Sequence, residues 1–123
     1  MANSSTTFAS RGTTVRHGVA AGTIAVCRFV ARDTDGKLVA CPTAVRPCGV
    51  SPFNYAAADD AAYHCLGFAH VETDGSGVVG DYVKAAADGS GKGIKDSSPG
   101  FTTGGRIVTI DATTNIAMVE LVV

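Results

Sequence analysis

Four cysteines, three histidines and one glycine-rich loop are the residues of this chain with the chemistry for catalysis or ligand capture. The loop, Ala86-Ala-Asp-Gly-Ser-Gly-Lys-Gly93, resembles a phosphate cradle. That motif needs a leading glycine and a closing Gly-Lys-Ser/Thr, whose hydroxyl holds Mg²⁺. Here Ala86 stands at the first place and Gly93 at the last, and no helix pattern follows. A nucleotide site is therefore not expected. Metal binding fares no better. Cys27, Cys41, Cys48 and Cys65 contain no Cys-x-x-Cys pair, and Pro42 and Pro47 separate the closest two. His64 and His70 fall on one face of a single expected strand, and strand rise would set them roughly 20 Å apart. His70 with Glu72 supplies only two ligands. The reading is no metal and no cofactor.

A hydrolase needs a nucleophile beside a base that a third group orients. His17, His64 and His70 sit in strand-like sequence, and no serine stands in a Gly-x-Ser-x-Gly elbow. Asp59 and Asp60 are adjacent, so they point apart rather than pairing for acid–base work. The expectation is a protein that is not an enzyme; an active site would have to gather His17, Asp59 or Asp60 and a thiol. Nucleic-acid binding calls for interleaved basic and aromatic side chains. Phe29 between Arg28 and Arg32 comes nearest, and no nucleic-acid partner is expected.

These side chains must be positioned by a chain of 123 residues, a length that fits one domain. It is 46% hydrophobic with no Trp and 15 Gly, so Val and Ala supply the bulk, and frequent reversals favour short strands. The net charge of −1 gives no attraction to polyanions or membranes. Its distribution is uneven. Residues 1–50 hold Arg11, Arg16, Arg28, Arg32, Lys37 and Arg46 against Asp33 and Asp35, a net +4, whereas residues 51–123 carry −5. Such asymmetry suits head-to-tail contacts between copies or a basic face on an acidic partner. The N-terminus lacks the pattern of a signal peptide, and no apolar run is long enough to span a bilayer. The thiols are expected free and buried, in a protein made in a reducing cytoplasm with no membrane partner.

The strongest signal is internal. Aligning Gly22–Gly36 with Gly75–Gly89 at one offset matches Val26 with Val79, Phe29 with Tyr82, Val30 with Val83 and Asp35-Gly36 with Asp88-Gly89. Each copy reads as a small-residue turn, a strand closing on aromatic-Val, and an Asp-Gly hairpin reversal. Phe29 and Tyr82 are expected in equivalent interior places. Later strands follow at His64–Glu72, at Gly105–Ile110, and at Asn115–Val123 with Ile116, Met118 and the neighbouring valines in the core and Glu120 solvated. Ala56–Ala62 reads as at most one short helix. The expected fold is all-β, a compact barrel or sandwich of two related hairpin units with an extended N-terminal arm. Residues 1–14 form the arm, and 15–123 form a single β domain whose repeats cover approximately 15–72 and 73–123.

This layout resembles the capsid decoration (cement) proteins of tailed bacteriophages. Gly22–Lys37, Gly49-Val-Ser51 with Ala56–Glu72, and Gly75–Lys92 with Gly105–Val123 carry the resemblance, which covers most of the chain beyond residue 20. It implies a virion protein on the capsid exterior that binds across major capsid protein subunits, as a homo-oligomer and commonly a homotrimer. The arm's composition points to Phe8 as an apolar anchor, and to Arg11 and Arg16 as ion-pairing groups on neighbouring subunits. The competing readings are a free β-barrel module for carbohydrate or a small molecule, which the lack of Trp disfavours, and a lattice protein, which would be much longer.

Overall fold

The computed structural model describes residues 14–122. It is an all-β fold of two five-stranded antiparallel sheets. Sheet one holds β1 (Thr14–Val19), β2 (Phe29–Arg32), β3 (Leu38–Ala40), β4 (Gly49–Val50) and β5 (Asp60–Leu66), in the order β1-β5-β4-β2-β3. Sheet two holds β6 (Phe68–Glu72), β7 (Tyr82–Ala85), β8 (Gly93–Lys95), β9 (Thr103–Asp111) and β10 (Ile116–Leu121), in the order β6-β10-β9-β7-β8. The arm expected over residues 1–14 lies outside the described residues except for Thr14, which opens β1.

The second sheet repeats the first strand for strand, and several of the framing bonds recur. Val19 faces Asp60 across β1 and β5, as Glu72 faces Ile116 across β6 and β10. Val30 faces Gly49 as Val83 faces Gly105. Outside the strands, Cys27 N donates to Ser51 O and Ser51 N to Arg28 O; Gly80 N donates to Ile107 O and Ile107 N to Asp81 O in the same way. Both hairpins turn on the expected glycines, Gly36 at φ 77° and Gly89 at φ 76°. Glycine reaches this left-handed region without steric cost. The extra residues of the second copy fall mainly in its longer Asp88–Lys92 reversal.

Two segments depart from the expected elements. No helix forms over Ala56–Ala62. Ala58 takes φ 71°, Asp59 Oδ2 accepts the amide of Ala56 at 2.7 Å, and the chain turns straight into β5. Once Asp59 closes that turn, the following alanines lie in the sheet, and tertiary pairing overrides their helix propensity. His64–Glu72 is likewise not one strand. Gly67, at φ 85°, ends β5 and lets β6 leave for the other sheet. The two units therefore meet at Gly67 rather than after Glu72.

The sheets do not pack as mirror halves. The main core takes Phe29, Ala31, Cys41 and Val50 from sheet one and Val71, Val83, Ile107, Ala117, Val119 and others from sheet two. By register, Phe29 corresponds to Tyr82 and Val30 to Val83. The sandwich thus stacks the Phe29 face of sheet one on the Val83 face of sheet two. The opposite, Val30 face of sheet one is sealed separately by Ile24, Leu38, Ala61, Tyr63 and Cys65. This corrects the symmetric reading of the two rings: Phe29 is 0% exposed, but Tyr82 is 37% exposed on the outer surface. In β10 Val119 is buried as expected, together with Ala117 and Leu121, but Ile116 and Met118 are only half-buried. Glu120 is exposed as expected.

Gly104 makes room for the Phe29 ring. A Cβ there would lie 2.5 Å from Phe29 Cε1, whereas one on Gly93 would touch Cε2 at an ordinary 3.5 Å and crowd Val71 at 3.2 Å. Gly104→Ala is expected to lower the unfolding free energy by about 1–3 kcal/mol through overpacking. In a Phe29→Leu background, with the ring gone, the same change should cost far less. Urea denaturation of the four proteins measures the coupling; equal costs in both backgrounds would mean that ring and glycine do not press on each other.

Candidate functional site

The residues with potential chemistry are mostly spent on structure. In the glycine-rich loop, Ser90 N and Ser90 Oγ both donate to Asp88 Oδ1, Lys92 N donates to Ser90 Oγ, and Gly91 O accepts Phe29 N at 2.8 Å. The Ser90 bonds hold the exposed Asp88 carboxyl below its ordinary range. These polar groups of the loop thus close the turn or dock it onto sheet one. At the same seam, Arg28 reaches Glu72 at 3.2 Å and Ser90 O at 3.1 Å, and Lys92 lies 3.5 Å from Glu72. Glu72 therefore ties a residue of the first unit to a loop of the second.

All four cysteines are free. Burial pushes the Cys41 thiol up to about 12, with the neighbouring Cys48 adding to the effect, and its Sγ points at the carbonyls of Pro42 and Val45. Cys27 and Cys48 are also raised, chiefly by burial. Raised thiols are poor nucleophiles at neutral pH. Cys27 holds φ 61° where its counterpart is Gly80 at φ 94°. That position needs a left-handed residue in both copies, and the sequence supplies glycine only once.

His64 and His70 lie on different strands, contrary to the single-strand reading. Both line a hollow of about 380 Å³ at the seam, together with Cys27, Ser51, Phe68 and Ile116. Burial lowers the basicity of His64, and its Nδ1 is buried without a hydrogen-bond partner. Among the described residues, no three His, Cys, Asp or Glu side chains are grouped for a metal. His17 and Asp60 stand 3.7 Å apart on open surface, while Asp59 is held in its turn, so these acids share no enclosed pocket with a thiol.

What the molecule offers outward is apolar and aromatic. Phe53 is 64% exposed and lines an apolar hollow with Val15, Pro52, Ala62 and His64. On the outer face of sheet two, Phe68, Glu120, Arg106 and Tyr82 form one cross-strand row. Arg106 sits 5.8 Å from the Tyr82 ring centre and donates to Gly80 O. Val78 and Val79 project from the adjoining turn, both about as exposed as Phe53. Contiguous patches of this kind mark contact surfaces. Arg16 is exposed on β1, whereas Phe8 and Arg11 lie outside the described residues. Sequence reasoning missed Phe53, Phe68 and Tyr82 as surface groups. Only the Pro52–Asn54 context of Phe53 carried a signal for it.

No family model matches the sequence, and no curated protein matches it significantly. Among solved structures, the chain is similar to the N base of the head fiber gp8.5 of bacteriophage phi29. The TM-score is 0.68, over 89% of this chain and 93% of that one, at 16% identity. The likeness is one of fold. A similar fold thus recurs on a sequence with little in common.

The shifted groups set a pH window for stability. Unfolded His64 takes up a proton below about 6.5 while the folded residue resists it, so stability should fall as pH drops from there. Unfolded Cys41 ionises above about 8.5 while the folded thiol does not, so stability should also fall as pH rises through the alkaline range. Urea midpoints measured from pH 5 to 11 should flatten on the acid side in His64→Gln and on the alkaline side in Cys41→Ser. Unchanged slopes in these variants would dismiss the two groups as the cause.

Proposed function

We propose that this chain is a tailed-bacteriophage virion protein, made in the host cytoplasm and seated on the outside of the capsid. It binds across major capsid protein subunits and stabilises the shell without catalysing a reaction. The observation that carries this reading is the match, over nearly the whole of both chains, to the base of a phage head fiber. Two further observations support it. Burial raises the Cys41 thiol and lowers the basicity of His64, and the buried Asp96 carboxylate is spent on Thr103 Oγ1 and Ser98 N. The outer surface carries exposed Phe, Val and Tyr of the kind that fill partner pockets.

The physical logic is linkage. A protein that binds the assembled lattice, and not the free subunits, stabilises the lattice by the free energy of binding. A homo-oligomer, in this reading a trimer, engages several copies at once, so modest contacts combine through effective concentration. The arm extends this reach, with Phe8 as anchor and Arg11 as an ion-pairing group, while Arg16 lies on β1 and outside the arm.

Purified protein mixed with phage heads lacking it should bind saturably, with density at lattice axes by electron microscopy and a higher head-disruption temperature. Failure to bind heads at micromolar concentration would defeat the proposal. Removing residues 2–12 should leave the urea midpoint nearly unchanged and weaken head binding by at least about tenfold, roughly 1.4 kcal/mol. Undiminished binding by the shortened chain would remove the arm from the contact.

A further inference from the structure

We propose that copies of this chain associate head to tail, the Tyr82 face of sheet two in one copy lying on the Val30 face of sheet one in the next. The inference rests on how the two units already pack. Within the chain, the Phe29 face of one unit lies on the Val83 face of the other. This is a heterologous contact, because the two surfaces are different, and such contacts build rings or open series rather than twofold pairs. The Tyr82 face is the register equivalent of the Phe29 face, and it has no sheet over it. The Val30 face is the equivalent of the Val83 face, and it too has no sheet over it. One stacking rule, used once inside the chain, leaves the Tyr82 face open and the Val30 face covered by the chain's own Ile24, Tyr55 and Cys48 rather than by a sheet.

Charge favours a second copy as the occupant. On the Tyr82 face, Glu120 lies directly between Phe68 and Arg106. Arg106 is turned to the Tyr82 ring and to Gly80 O, and Glu120 has no ion-pair partner among the described residues. On the Val30 face, Arg16 faces Tyr63 and rims a shallow hollow with Cys48, Cys65 and Leu66. Arg16 also lacks an ion-pair partner among the described residues. Arg32 lies over the same Tyr63 ring at 5.6 Å. A carboxylate beside an exposed phenyl ring, Glu120 with Phe68, thus meets a guanidinium beside an apolar hollow, Arg16 with Leu66 and Cys65. The split of +4 and −5 between the first 50 residues and the rest has the same sense. The contact is shallower than the internal one. Leu38 occupies the register place of Gly93, so the Val30 face has no socket for Tyr82 comparable to the one that receives Phe29.

Sedimentation equilibrium of the full chain tests this. The wild type should self-associate reversibly. Glu120→Arg and Arg16→Glu should each weaken association by about tenfold or more, and the two changes together should restore it. Both positions are exposed, and recovery in the double variant also shows that the single variants fold. A wild type that stays monomeric, association that neither single change moves, or a double variant no stronger than the singles would each overturn the proposal. Head binding is measured separately. A monomer that still decorates heads defeats this inference alone, and an oligomer that ignores heads defeats only the functional reading.

Discussion

Phe29 is fixed at the seam from every side. Its amide donates to Gly91 O and its carbonyl accepts Cys41 N, both at 2.8 Å. Its ring fills space that Gly104 leaves empty. The next residue back, Arg28, carries the ion pair to Glu72. One short strand of the first unit is thus bonded along its backbone to a loop of the second and locked through its side chain into the second sheet. Burying one phenyl ring contributes about 1.5–3 kcal/mol by area. Its larger effect is to set which faces meet. With the ring between the sheets, the Phe29 face is committed inward, and the Val30 face must find other cover.

That commitment explains why repeated sequence gives unlike surfaces. At register-equivalent places, Phe29 is sealed while Tyr82 is open, and Val50 is buried while Arg106 is exposed. The hydroxyl of Tyr82 and the guanidinium of Arg106 suit a wet surface, as the phenyl and valine suit a dry one. Backbone duties stayed the same in both copies because the hydrogen-bond frame needs them. Side chains diverged wherever one copy faces the core and the other faces out. The left-handed position shared by Cys27 and Gly80 belongs to the frame, so it survives even where the residue is unfavourable.

The same division decides what could be read from sequence. Turns and hairpins were legible in Asp35-Gly36 and Asp88-Gly89, because Asp-Gly reports a local backbone requirement. The register of the repeat was legible for the same reason. The inward side of a strand was not legible where both sides are apolar: β10 reads Ile-Ala-Met-Val, and either alternation would serve. The break at Gly67 was hidden because a strand that changes sheets keeps its alternation through the change. The equal burial assigned to Phe29 and Tyr82 failed because likeness in sequence was carried over to likeness in environment, and a heterologous stack treats its two faces differently. The candidate contact residues Phe68 and Glu120 became visible only once that stack placed them outward.

A series of stacked sheets must stop somewhere, and this chain shows how its own is limited. Sheet one supports Val30 from within, using Leu38, Tyr63 and Ile24, so its outer side needs no partner to stay dry. Tyr82 is backed by Arg106, which shields the ring without burying it. Each free face is thereby finished enough for the chain to fold alone, yet each keeps charge and apolar area for a weaker contact. An internal seam held by a buried ring stays closed, while contacts made through exposed charges and shallow hollows are weaker and reversible.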